Sequence, residues 1–185
     1  MRLFVALDLP SETRESVWRA AAPLRERAFP VRWAGPDTLH LTLKFLGDVS
    51  DERVPELYEA LHAAVQGARP VPIAVDTCGA FPAAERPRVI WAAVGAEPAL
   101  ELLQHGVERT FTPLGFPPDG RPFRPHLTLG RVGRGVTPRA FAGLADALDA
   151  FEVHAAAVAE AVVLVRSTLH RDGAVYQELD RERLF

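Results

Sequence analysis

Apolar positions along the chain fall into two kinds of run, and the two kinds alternate. Residues 3–7 (LFVAL) and 89–94 (VIWAAV) are short, compact runs rich in strand formers. Each is followed by a stretch with helical spacing, "SETRESVWRAAAPLRERA" from Ser11 and "AEPALELLQHGVERTF" from Ala96. Ser11 suits an N-cap, and Pro98 suits an early helical position. Each half then reaches the same word, HLTL, at residues 40–43 and 126–129. A second helix is expected after each: "DERVPELYEALHAAVQ" behind Ser50, and "PRAFAGLADALDA" with Thr137 as cap and Pro138 first in the helix. Apolar strands follow, "VPIAVDTCGAF" from Val71 and "FEVHAAAVAEAVVLVRS" from Phe151, and a last strand near 174–180 closes the chain.

The order strand, helix, HLTL strand, helix, strand therefore occurs twice, over about 2–81 and 88–167. The step from arginine to histidine is 38 residues in both copies, Arg2 to His40 and Arg88 to His126. A repeat at fixed offset is read before single elements. It predicts an α+β fold in one bilobal domain, 1–185. Two mainly antiparallel sheets are related by a pseudo-two-fold, with helices outside.

In a strand, side chains alternate between faces. His40 and Thr42 then share one face, and His126 and Thr128 share another, while Leu41, Leu43, Leu127 and Leu129 bury behind them. If the lobes face each other, the two pairs meet across a cleft. Imidazole titrates near ~6.5, so one ring can accept a proton while the other donates one. Threonine hydroxyls can bind anionic oxygens. Such a set suits in-line displacement at phosphorus without a metal or other cofactor. Two histidines could begin a metal site, but no third ligand with suitable spacing is evident.

Composition narrows the setting. The net charge of −3 gives no global field for nucleic acid, so such a partner needs a local patch. Cys78 is the only cysteine, which excludes an internal disulfide and a thiolate zinc cluster. The apolar start "MRLFVALDLP" stops at Asp8 and Pro10, too short for a signal peptide or a membrane span. A cytoplasmic monomer is expected.

The paired words and their flanks, "LHLTLKFLGDV" and "RPFRPHLTLGR", with "RLFVAL", "PRVIWAAV" and "LVRSTLHRDGAVYQEL", resemble the two-histidine (2H) phosphoesterase superfamily. The similarity is to its RNA 2′,3′-cyclic phosphodiesterase branch, also called 2′-5′ RNA ligase. The resemblance implies a bilobal fold whose motifs face a central groove. It implies His40 as proton donor and His126 as proton acceptor, with Thr42 and Thr128 holding the non-bridging oxygens. The implied substrate is RNA ending in a 2′,3′-cyclic phosphate, opened to a 2′-phosphate; nucleotides are possible partners too. Alternatives at the same groove are 2′-5′ ligation, hydrolysis of a small cyclic nucleotide, or binding of nucleotide or RNA without turnover.

The resemblance also implies that Arg131 contacts phosphate. Its parity opposes this: in a regular strand 131 points away from 126 and 128, so a bulge or a strand end is required. Lys44, the sole lysine, has the parity of His40 and Thr42 and is a candidate to add charge to the groove. Arginines 121, 124, 131, 134 and 139 face one acid, Asp119, between residues 119 and 139, a local patch for an RNA backbone. Phe45 and Phe123 flank the motifs as candidate stacking platforms, ahead of Trp33 and Tyr176. His62, His105, His154 and His170 have no partner motif and are read as structural or surface residues.

Overall fold

The computed structural model describes residues 1–170 and 173–185. In chain order the elements are β1 (Arg2–Asp8), α1 (Ser11–Ala20), α2 (Ala22–Glu26), β2 (Val31–Trp33), β3 (Leu41–Asp48), α3 (Val54–Val65) and β4 (Val71–Phe81). Then follow β5 (Val89–Val94), α4 (Pro98–Phe111), β6 (His126–Val132), α5 (Leu144–Asp149), β7 (Ala155–Ala159), β8 (Ala161–His170) and β9 (Gly173–Arg183).

The strands lie in the order β7-β4-β5-β6-β3-β1-β8-β9, with β2 added beside β6, and every pairing is antiparallel. This is two four-stranded halves, β7-β4-β5-β6 and β3-β1-β8-β9, joined through the single pair Leu41↔Leu127. The sheet curls as a half-barrel. The last strand of each sequence repeat lies in the opposite half: β4 sits beside β5, and β8 sits beside β1. The halves are thus interlocked. The β1 and β5 copies are one residue out of step with the motif spacing, because Ala6 lies opposite Thr42 whereas Trp91 lies opposite Thr128.

Behind the sheet, α3 and α4 pack on each other and cover it with Leu57, Leu61, Leu100, Leu103 and Val107, all buried. Pro98 opens α4 as expected, and Glu97 caps it by accepting from the Ala99 N–H at 3.2 Å. The other expected caps are not made by side chains. Ser11 is already the first helical residue behind Pro10, and Ser50 precedes a 3-10 turn at Asp51–Arg53. Thr137 and Pro138 open another such turn, Pro138–Phe141, which Gly143 at φ 80° separates from the short α5. The long run from Phe151 is two strands, β7 and β8, parted at Glu160.

Candidate active site

His40 lies immediately before β3, and His126 is the first residue of β6. Leu41, Leu43, Leu127 and Leu129 are buried, while His40, Thr42, His126 and Thr128 are half-buried on the other face. The alternation expected from HLTL therefore holds in both copies. The antiparallel pair Leu41↔Leu127 fixes their mutual placement: continuing its register sets Thr42 toward His126, and His40 toward Thr128. Two residues far apart in the chain share one site because the joint between the halves passes through the motifs.

Both rings are held in the same way. The Nδ1–H of neutral His40 donates to the Thr38 carbonyl at 2.8 Å, and that of His126 to the Arg124 carbonyl at 2.7 Å. Each acceptor lies two residues upstream, so the contact is part of the repeated design. It leaves Nε2 as the nitrogen available to a ligand on each ring, able to accept a proton when the ring is neutral and to donate one when it is charged.

A bulge follows each motif. Against β1 the register slips between Val5↔Lys44 and Ala6↔Thr42, leaving Leu43 as the extra residue. Against β5 it slips between Ile90↔Gly130 and Trp91↔Thr128, leaving Leu129 as the extra residue. Each slip reverses the alternation that follows. Phe45 and Arg131, both five residues past their histidine, turn onto the face of the histidines. Phe45 is 58% exposed there. The charge of Arg131 is felt at both His40 and Tyr176. The parity objection to Arg131 is removed by this bulge.

The same slip overturns the expectation for Lys44. It is 4% exposed and pairs with Glu108 of α4, while its Nζ also donates to the Pro117 carbonyl at 3.1 Å. Lys44 points behind the sheet and adds nothing to the groove. It ties β3 to α4 and to the loop leading to the second motif.

The duplicated backbone carries unlike aromatic surroundings. His40 stacks on Phe4 at 4.6 Å between centroids and meets the edge of Tyr176 at 5.0 Å. Burial is the main reason its pKa falls to about 4; the Thr38 carbonyl opposes the fall, and the charges of Arg131 and His126 add to it. Among the described residues, His126 has one aromatic ring stacked or edge-on against it, that of Phe81, met at the edge at 5.5 Å. It opens instead onto a cavity of about 330 Å³ whose walls include Phe81, Trp91, Leu100 and Phe123. Phe123 thus stands beside the second motif, lining the same cavity as His126. Tyr176 is at the first motif, whereas Trp33 packs with the core beside Gly130.

Phe4, Phe81 and Trp91 were not singled out by sequence reasoning. Their signal was available: they lie in, or pair with, the strands that flank the motifs. Trp91 stacks on Phe81 at 4.8 Å and lies flat over Gly79, where a Cβ would come within 2.4 Å of the indole. A glycine inside a strand often marks such an approach. Gly79→Val is expected to lower stability by about 1–3 kcal/mol through overpacking, and denaturant unfolding followed by tryptophan fluorescence measures it. No loss would mean that Trp91 relocates freely.

Of the arginine-rich segment, Arg131 faces the histidines, and Arg124 lines the cavity and supplies the carbonyl that holds His126. Arg121, Arg134 and Arg139 are exposed. His62 pairs with Glu182 at 3.2 Å, and His105, His154 and His170 are exposed. No described helix is long and apolar enough to cross a membrane.

The sequence and the fold resemble those of known proteins. An RNA 2′,3′-cyclic phosphodiesterase of Methanothermobacter thermautotrophicus is 33% identical over 184 residues, covering 100% of this chain and 99% of that one. The crystal structure of TT0787 from Thermus thermophilus superposes with a TM-score of 0.81 at 28% identity, covering 100% of this chain and 98% of that one. Escherichia coli LigT complexed with 3′-AMP superposes with a TM-score of 0.76 at 28% identity, covering 99% and 97%. The family described as LigT-like phosphoesterases matches residues 7–91 and again 94–176, one match for each half of the duplication. On that double match and those relatives, the chain belongs to the LigT-like phosphoesterase family.

Proposed function

We propose that this protein opens 2′,3′-cyclic phosphate ends of RNA to 2′-phosphates by metal-independent acid–base catalysis. One observation carries the reading: two imidazoles, fixed alike through Nδ1 with Nε2 free, share a sheet face with two hydroxyls and a guanidinium. The names of the relatives and the 3′-AMP bound by E. coli LigT support a nucleotide substrate.

In this reading His126 Nε2 takes a proton from water, whose oxygen bonds to phosphorus. The P–O3′ bond breaks on the opposite side, and His40 Nε2–H protonates O3′. Thr42 and Thr128 donate to the non-bridging oxygens, and Arg131 balances their charge, which is the help a metal would otherwise give. Phe45 offers a face to the terminal base on the His40 side, and Phe123 offers one on the His126 side. Burial keeps His40 neutral in the free protein, opposite to what a donor needs. A phosphate anion seated beside it favours the imidazolium, so the substrate itself arms the acid.

That last step has a pH consequence. Below about 4 the His40 ring of the free protein is itself charged. The limb of kcat/KM set by His40, which reports the free protein, is therefore expected near 4. The corresponding limb of kcat reports the complex and is expected at higher pH. Steady-state kinetics across pH checks both; a kcat/KM limb at or above the ordinary imidazole value would show that burial does not hold His40 neutral. The activity itself is tested by end-group analysis of an RNA bearing a cyclic phosphate, with and without chelator. An untouched cyclic end, a 3′-phosphate product, or loss of turnover in chelator would each overturn part of the reading.

A further inference from the structure

β2 lies outside the duplication. The 86 residues that separate His40 from His126 carry Val31–Trp33 onto residues 117–119, which form no strand. This extra strand adds beside β6 just past the second motif, with Arg32 directly opposite Arg131. Residues paired across antiparallel strands point to the same face. Arg131 is on the face of the histidines, so Arg32 is there too. The alternation within β2 agrees, since Val31 and Trp33 pack with the core behind the sheet.

Both guanidiniums are exposed, and neither is paired with a carboxylate among the described residues. Like charges set directly opposite each other destabilise a sheet. The chain has 24 acidic residues against 21 basic ones, yet this doublet is left uncompensated. An anion seated between the two removes the repulsion and gains charge-assisted hydrogen bonds from both side chains.

We infer that Arg32 is a second phosphate site, taking the 5′-phosphate of the terminal nucleotide while Arg131 serves the cyclic phosphate. The inference rests on the proposed function. An RNA end brings two anions to the groove: the cyclic phosphate and, across one nucleoside, the phosphate on its 5′-oxygen. Arg32 stands one strand away from Arg131, about 5 Å between backbones, and the two side chains can lean apart from there. The repeats give the groove two unlike ends. Five residues past His40 stands Phe45, a face for a base, and five residues past His126 stands Arg131, doubled by Arg32. No bond is made or broken at Arg32. It binds and orients, and it sets a preference for ends that carry a 5′-phosphate over a bare nucleoside cyclic phosphate.

The test compares adenosine 2′,3′-cyclic phosphate, the same nucleotide with an added 5′-phosphate, and a dinucleotide ending in the cyclic phosphate. The second and third are expected to exceed the first in kcat/KM by about tenfold or more, the worth of one hydrogen bond between charged groups. Arg32→Gln should bring that ratio near one, and Arg32→Glu should bring it below one. A ratio unchanged by either substitution overturns the site. So does a gain confined to the dinucleotide, which would place the contact on the upstream nucleoside. Stability gives a second reading, independent of turnover. Arg32→Glu replaces a repulsive pair by an attractive one, so its denaturant midpoint should rise above that of the parent. A fall would mean that the two side chains do not face each other. If no cyclic end is opened, the proposed function fails, and calorimetric titration decides the site alone. Adenosine 2′,5′-bisphosphate should then bind about tenfold tighter than adenosine 2′-phosphate, with the difference lost in Arg32→Gln. Equal binding of the two by the unaltered protein would end the inference.

Discussion

His40→Ala and His126→Ala are each expected to lower kcat on a cyclic-phosphate RNA by roughly 10²–10⁴-fold, with the fold intact. Both rings are half-buried on the groove face and neither closes the core, so the loss is chemical and not structural. The double variant is expected to fall little below the weaker single one, because the two rings act as a unit and their effects do not add. Thr42→Ala and Thr128→Ala remove one charge-assisted hydrogen bond each, about 1.5–3 kcal/mol, and so cost less. The roles of the two rings separate with a nucleoside phosphodiester carrying a nitrophenolate leaving group. That group departs as an anion and needs no acid. On it His40→Ala recovers much of its rate and His126→Ala does not. The reverse pattern would exchange donor and acceptor, an arrangement to which the lowered pKa of His40 lends itself. Circular dichroism of each variant guards against a folding defect, and near-full turnover by either alanine variant would end the paired mechanism.

The shared face of His40, Thr42, His126 and Thr128 was legible because it needs only two facts, a period of two and a repeated word. Both survive folding, since the leucines of HLTL must be buried in either half. The joining of the halves was not legible. It depends on the single pair Leu41↔Leu127 and on β4 and β8 crossing into opposite halves, and no local pattern encodes which distant strand a run will accept. The bulges escaped for a related reason. An extra residue at Leu43 or Leu129 leaves the apolar pattern intact and shows only against a partner strand. That one device decides three side chains at once: it brings Arg131 and Phe45 to the groove and takes Lys44 away. The difference between the two histidines was equally invisible, because identical words imply identical surroundings. It arises from Phe4 of β1 and Tyr176 of β9, whose rings both reach His40, whereas a cavity opens at His126.

Lys44→Ala gives the largest expected effect on stability, and it separates the two positions the side chain could have held. The ammonium is 4% exposed at the residue level, and its partner Glu108 has a side chain 18% exposed. Removing the lysine strands a mostly buried carboxylate and the Pro117 carbonyl. Breaking a buried pair from one side typically costs 3–5 kcal/mol, and the partial exposure of Glu108 places the expected loss near the lower bound, about 3 kcal/mol. Denaturant midpoints measure it. Lys44→Met with Glu108→Leu removes both charges and fills the space, and it should restore most of the loss, because no unpaired ion is left behind. A groove cation behaves in the opposite way: its removal raises KM or lowers kcat and spares stability. Where the Lys44→Ala protein remains folded, its kcat is therefore expected to stay close to that of the parent. A large kinetic defect with unchanged unfolding would return Lys44 to the groove and contradict the bulge at Leu43 that turns it inward.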